Sequence, residues 1–133
     1  MGLLSDWSDP GSKPRRTFND KFREAYRGLK KGIRGQSSFF VHFFFAVMAM
    51  VAAVVLDCTL IEWCLLVICI GGVLTAELFN SAIETLFKGL DEASRNRWHG
   101  CLDIAAGAVL AASITAAVVG ILIFGRHLLK LFA

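Results

Sequence analysis

The fold is decided by residues 60–86, LIEWCLLVICIGGVLTAELFNSAIETL, a stretch of 27 residues without a proline or a basic side chain. A bilayer core of about 30 Å is crossed by roughly 20 apolar residues in a helix that rises about 1.5 Å per residue. This stretch is therefore long enough to span a membrane. Its polar side chains are concentrated in the second half, between Glu77 and Glu84.

Two further stretches predict membrane spans. Residues 39–56 contain one polar side chain, His42, and residues 104–124 contain Ser113 and Thr115 as polar interruptions. The chain of 133 residues is 56% hydrophobic and 19% charged, whereas soluble domains carry about 25% charged residues. We therefore predict an all-α integral membrane protein with three transmembrane helices, at about residues 39–56, 60–86 and 104–124.

The polar N-terminal region divides into two parts. Residues 1–17 are rich in Ser, Asp, Gly and Pro, which predicts a mobile arm. Residues 18–35 carry apolar side chains every three or four positions between charges, which predicts an amphipathic helix at the membrane interface. These apolar side chains are Phe18, Phe22, Tyr26, Leu29 and Ile33. The membrane domain should thus extend over residues 18–133.

Basic residues predict the orientation, because short loops rich in Lys and Arg stay in the cytoplasm. Nine of the 14 basic residues precede the first span, and three lie in the loop of residues 85–103. The turn between the first two spans contains Asp57 and Glu62 and no base, so both acids are expected to be solvated on the other side. A basic arm beside an anionic leaflet also explains the net charge of +3 without nucleic acid.

Four polar side chains form one stripe near the end of the second span. Glu77, Asn80, Ser81 and Glu84 are spaced at i, i+3, i+4 and i+7, which places them on one helix face. An acid inside a spanning segment costs on the order of 2.5 kcal/mol or more, so it is expected to serve a partner, an ion or a proton. The alternative is that Glu77 and Glu84 have a structural role only, as ion-pair partners of Lys88 or of arginines in the arm.

Gln36 and Asp103 extend this cluster, because they precede the first span and open the third at the same membrane face. Carboxylate and amide oxygens suit Mg²⁺, which in proteins is commonly bound together with phosphate groups. A nucleotide on the cytoplasmic side of this cluster and a lipid on its membrane side would lie close together, and this arrangement favours transfer of phosphate onto a lipid hydroxyl.

Three motifs resemble the small prokaryotic diacylglycerol kinases and their undecaprenol kinase relatives. They are ELFNSAIE at residues 77–84, DIAAGAVL at residues 103–110 and FREAYRGL at residues 22–29. The resemblance covers residues 18–124. It implies a homotrimer in the bacterial inner membrane, with active sites shared between neighbouring chains and a cytoplasmic N-terminus. The implied activity is phosphorylation of diacylglycerol or undecaprenol by ATP and Mg²⁺ at the cytoplasmic face.

The resemblance also implies roles for individual residues. Glu77 is the candidate general base, Asn80 and Glu84 would hold Mg²⁺ and phosphate, and Asp103 would help to hold the nucleotide. Gln36 stands where the family has a metal-binding glutamate, and its carbonyl oxygen can still coordinate. The lysine that the family has directly before the aspartate is Leu102 here, and the arginine that it has after the first motif phenylalanine is Phe40.

Two other function classes stay open at this point. The departures at Gln36 and Leu102 favour a catalytically silent homologue that acts as a membrane scaffold or lipid-binding protein. A small proton-coupled transporter would also keep an acid inside the membrane, but two acids and an aspartate at one face suit a metal-phosphate site better.

Overall fold

The computed structural model describes residues 17–34 and 37–133, and this part of the chain forms five helices and no strand. The helices are α1 (Phe18–Arg34), α2 (Ser37–Val55), α3 (Leu60–Lys88), α4 (Glu92–Trp98) and α5 (Gly100–Phe132). The predicted all-α class is confirmed. Gln36 and the polar arm lie outside the described residues, apart from Thr17 at the start of α1.

Three of the helices in the described ranges are long and apolar enough to cross a membrane, namely α2, α3 and α5. Their outward faces expose large apolar side chains along the whole length, such as Phe43, Ile68 and Leu122. A protein in water rarely exposes so much contiguous apolar surface, whereas a bilayer solvates it. The chain is therefore an integral membrane protein. The exposed Phe18, Phe22 and Tyr26 of α1 fit the predicted interfacial helix.

The helices extend the sequence-based description in two places. The predicted third span, residues 104–124, lies within a longer helix, because α5 begins at Gly100 and continues to Phe132. The preceding segment contains α4, which the sequence did not predict. Asp91 caps this short helix, because its side chain accepts a hydrogen bond from the Ser94 backbone N–H. Hydrogen bonds from the Ser94 side chain and backbone hold the pKa of Asp91 below its usual range.

Helix α3 is the central element of the bundle. It packs most extensively against α5 and also contacts α2 and α1. A tight turn leads into it from α2, in which Asp57 adopts a left-handed backbone conformation with φ of 50°. Thr59 then caps α3 by accepting a hydrogen bond from the Glu62 backbone N–H, and the Glu62 side chain accepts one from the Thr59 N–H.

Glu62 is buried, so the expectation that it is solvated was wrong, whereas Asp57 is exposed as expected. The Arg126 guanidinium lies 2.7 Å from Glu62 Oε1, and His127 Nε2 lies 3.0 Å from Oε2. Cys58 offers a third possible metal ligand beside Glu62 and His127. However, burial raises the pKa of the Cys58 thiol, and Arg126 already balances the carboxylate. We therefore interpret the cluster as an ion-pair network that joins the start of α3 to the end of α5.

Arg126→Ala should destabilise the bundle, because it removes a charged hydrogen bond from a buried carboxylate. The expected loss is roughly 1.5–3 kcal/mol, seen as a lower midpoint of thermal unfolding in detergent micelles. Lys130→Ala, one turn further along α5, is the matched control and should leave the midpoint nearly unchanged. Equal effects of the two substitutions would show that the Glu62 to Arg126 pair contributes nothing to stability.

Candidate active site

The carboxylate of Glu77 is the most deeply buried charged group among the described residues, with a relative exposure of 2%. It lies on α3 at the contact with α2. The Ser38 hydroxyl donates a hydrogen bond to Glu77 Oε1, and His42 Nε2 lies 3.8 Å from Oε2. Ser38 and His42 are one helical turn apart, so α2 presents both polar side chains to one carboxylate.

Sequence reasoning identified Glu77 but missed these two partners. The signal was present, because His42 is the one polar side chain in residues 39–56 and lies four positions after Ser38. A polar residue in such an apolar run needs a partner of its own. The contact with Glu77 supplies that partner, and it could not be chosen from the sequence because the two residues come from different helices.

Asn80 and Glu84 form the next layer of the polar stripe on α3. The Asn80 side-chain N–H donates a hydrogen bond of 2.9 Å to Glu84 Oε1. Asn80 is buried and Glu84 is half-buried. Their adjacent side chains supply an amide carbonyl oxygen and carboxylate oxygens, and oxygen donors of this kind match the chemistry of Mg²⁺. Ser81, the fourth member of the stripe, is buried, and its Oγ has no hydrogen-bond partner among the described residues.

The structure does not bring every predicted site residue together. Asp103 lies in the first turn of α5, is exposed, and forms no hydrogen bond or ion pair with another residue in the described ranges. Gln36 is not among the described residues, so its relation to Glu84 stays a prediction. Leu102 is half-buried beside Asp103.

Cations surround the end of α3 that carries Glu84. Arg95 has a structural role at the end of α3. Its guanidinium donates hydrogen bonds to the backbone carbonyl oxygens of Lys88 and Leu90. Arg97 is exposed on α4. Lys31 and Lys88 line an open groove of about 1090 Å³ between α1 and α3. Positive charge is thus available near this end from α1, α3 and α4.

A second cavity, of about 400 Å³, lies between α2, α3 and α5. Its walls are almost entirely apolar, and small residues such as Ala49, Ala117 and Gly120 leave the space open. His42 belongs to its lining, so the cavity reaches the side chain that contacts Glu77. An apolar space that ends beside a buried carboxylate can hold a hydrocarbon chain with its polar end at the carboxylate.

Comparison with known proteins shows the family. The profile of the family described as prokaryotic diacylglycerol kinase matches residues 23–124. Undecaprenol kinase of Bacillus subtilis (strain 168) is 29% identical over 107 residues, which cover 80% of this chain and 87% of that protein. No solved structure matches the chain.

The close approach of α1 to α3 yields a structural prediction. A Cβ at Gly32 would lie 2.6 Å from Leu78 Cδ2, whereas a Cβ at Gly28 on the same helix meets nothing within 4 Å. Gly32→Val should therefore displace the Leu78 side chain, loosen the contact of α1 with α3 and increase hydrogen–deuterium exchange of the α1 amides. Gly28→Val carries the same change in helix propensity and should not loosen this contact. Equal exchange in both variants would contradict the packing of α1 through Gly32.

Proposed function

We propose that this chain, which belongs to the prokaryotic diacylglycerol kinase family and is a lipid kinase, transfers the terminal phosphoryl group of ATP to a membrane lipid alcohol with the help of Mg²⁺. The reaction takes place at the cytoplasmic face. The main support for the proposal is the buried carboxylate of Glu77 on α3, which accepts a hydrogen bond from α2. It lies one helical turn before Asn80, which is hydrogen-bonded to Glu84.

Glu77 acts on the acceptor. If α3 begins at one membrane surface, Glu77 lies about 26 Å along the helix and Glu84 about 36 Å, so a core of about 30 Å ends between them. Glu77 is then at the depth of a lipid hydroxyl, and Glu84 is in the headgroup region. The carboxylate accepts the hydroxyl proton as the oxygen attacks phosphorus, which is general-base catalysis.

Asn80 and Glu84 hold the metal, and their oxygen-only donor set fits Mg²⁺. When bound, Mg²⁺ neutralises charge on the phosphate oxygens of the nucleotide. The hydrogen bond from the Asn80 amide fixes one Glu84 oxygen, which orients the carboxylate. In this proposal the nucleotide environment is completed by Gln36 and Asp103. Leu102 stands where the family has a lysine, so other side chains must supply the positive charge. These cations are Arg97, Lys31 and Lys88.

The exposure of Asp103 supports a shared active site. Within one chain it has no polar partner in the described ranges, while Ser81 is the member of the α3 stripe that lines the open groove toward α1. In a homotrimer, Asp103 of one chain could approach the Glu84 region of its neighbour. The basic residues at this end of the bundle support a cytoplasmic location for this end and for the N-terminus, with the helices in a bacterial inner membrane. Diacylglycerol and undecaprenol are both candidate acceptors, and the Bacillus relative named undecaprenol kinase favours the second.

Glu77→Gln should lower kcat by about 10²–10⁴-fold, because the amide keeps the shape of the side chain but takes no proton. The affinity for ATP, measured by equilibrium binding, should stay within about twofold of the parent value. Glu92→Gln, an exposed acid of α4, is the control and should retain activity. A collapse of ATP affinity in Glu77→Gln would identify Glu77 as a nucleotide or metal residue.

Glu84→Ala should raise the Mg²⁺ concentration needed for half-maximal activity, since a charged oxygen ligand is lost. High Mg²⁺ should then restore part of the activity. Asn80→Ala should shift the Mg²⁺ dependence in the same direction, and Glu92→Ala should not shift it. If the Mg²⁺ titration of Glu84→Ala coincides with that of the parent, Glu84 has a structural role only.

A further inference from the structure

The two side chains of α2 that reach Glu77 differ in what they can do with a proton. The Ser38 hydroxyl donates to Oε1 and cannot hold a second proton near neutral pH. His42 Nε2 faces Oε2 at 3.8 Å, and imidazole gains and loses a proton in the physiological range. Of the two polar side chains that contact Glu77 among the described residues, His42 is thus the one that can accept a proton from it.

Burial makes such an acceptor necessary. The Glu77 side chain is 2% exposed, so a proton taken from a substrate has no direct route from the carboxylate to water. The His42 side chain is 22% exposed and lines the cavity between α2, α3 and α5, so it is less enclosed than the carboxylate. Residues of α2, α3 and α5 line the cavity beside His42, and none of these lining residues is Asp, Glu, Lys or Arg. Besides His42, the titratable residue in this lining is Cys69.

We propose that His42 receives from Glu77 the proton that the lipid hydroxyl releases, so that Glu77 returns to the carboxylate form within each turnover. This inference rests on the proposed role of Glu77 as general base. The substrate oxygen forms its bond to the γ-phosphorus, and the bond from that phosphorus to the bridging oxygen of ADP breaks. The hydroxyl proton passes to Glu77 Oε2, then to His42 Nε2, and is finally released to water.

The geometry requires only a small adjustment. A hydrogen bond between nitrogen and oxygen is about 3.0 Å long, so the 3.8 Å gap must close by about 0.8 Å. Rotation of the two side chains supplies a change of this size. Catalytic hydrogen bonds are often long before substrate binds and shorten in the reactive complex.

Chemical rescue of His42→Ala tests the proposal. With the acceptor alcohol that the parent phosphorylates, the variant should lose about 10- to 100-fold in kcat, while the KM values for ATP and lipid stay within about twofold. Added imidazole should enter the space left beside the cavity and restore kcat at least about fivefold. The similar-sized but much less basic 1,2,4-triazole should restore nothing, because shape without basicity cannot take the proton.

Three further variants are matched to His42→Ala. His42→Gln keeps much of the side-chain volume and should show the same loss, so the test stands even if the alanine variant assembles poorly. Phe45→Ala enlarges the same cavity, and Ser38→Ala removes the other contact to Glu77. Neither should respond to imidazole. Full activity of His42→Gln, absence of rescue in a folded His42→Ala, or equal rescue by triazole would overturn the proposal.

Failure of this inference can be distinguished from failure of the proposed function. If the parent phosphorylates no lipid alcohol, or Glu77→Gln remains active, the role of Glu77 is wrong and the role of His42 is wrong with it. If the parent is active and Glu77→Gln is not, but His42→Ala matches the parent or ignores imidazole, only the role of His42 is wrong.

Discussion

Burial of the Glu77 carboxylate between α2 and α3 is the constraint on which the functional end of the structure depends. A charge removed from water and placed in a membrane helix must be compensated by nearby polar groups. Ser38 and His42 provide that compensation from α2, which fixes how α2 meets α3 in an otherwise apolar contact. The same enclosure keeps bulk water away from the carboxylate.

The two ends of α3 use charge in different ways. At its start, Glu62 is paired with Arg126 and His127, so the carboxylate is neutralised by its own chain and joins α3 to α5. Toward its other end, Glu77 contacts a serine and a histidine. Among the described residues, no Lys or Arg lies within ion-pair distance of the Glu77 carboxylate. A permanent cation beside Glu77 would weaken it as a base. The contrast separates a stabilising ion pair at the start of α3 from the reactive site that we propose toward its end.

The sequence predicts what depends on local pattern. Apolar run length gave the three spans, and helical spacing gave the stripe from Glu77 to Glu84. Contacts between distant residues could not be predicted in this way. Glu62 and Arg126 are 64 positions apart, and Ser38 and Glu77 are 39 apart, so no periodicity relates them. Helix α4 was missed because it is only seven residues long and depends on its Asp91 cap.

In the proposed reaction, the phosphoryl group of ATP reaches a lipid hydroxyl at the Glu77 end of the bundle. The most direct measurement is the formation of radiolabelled lipid phosphate from γ-labelled ATP by the purified chain in liposomes, with undecaprenol or diacylglycerol supplied separately. We expect label in at least one lipid phosphate, and this labelling should depend on Mg²⁺ and on ATP supplied to the face that carries the N-terminus. Label that appears only as free phosphate, or in neither lipid, would contradict it.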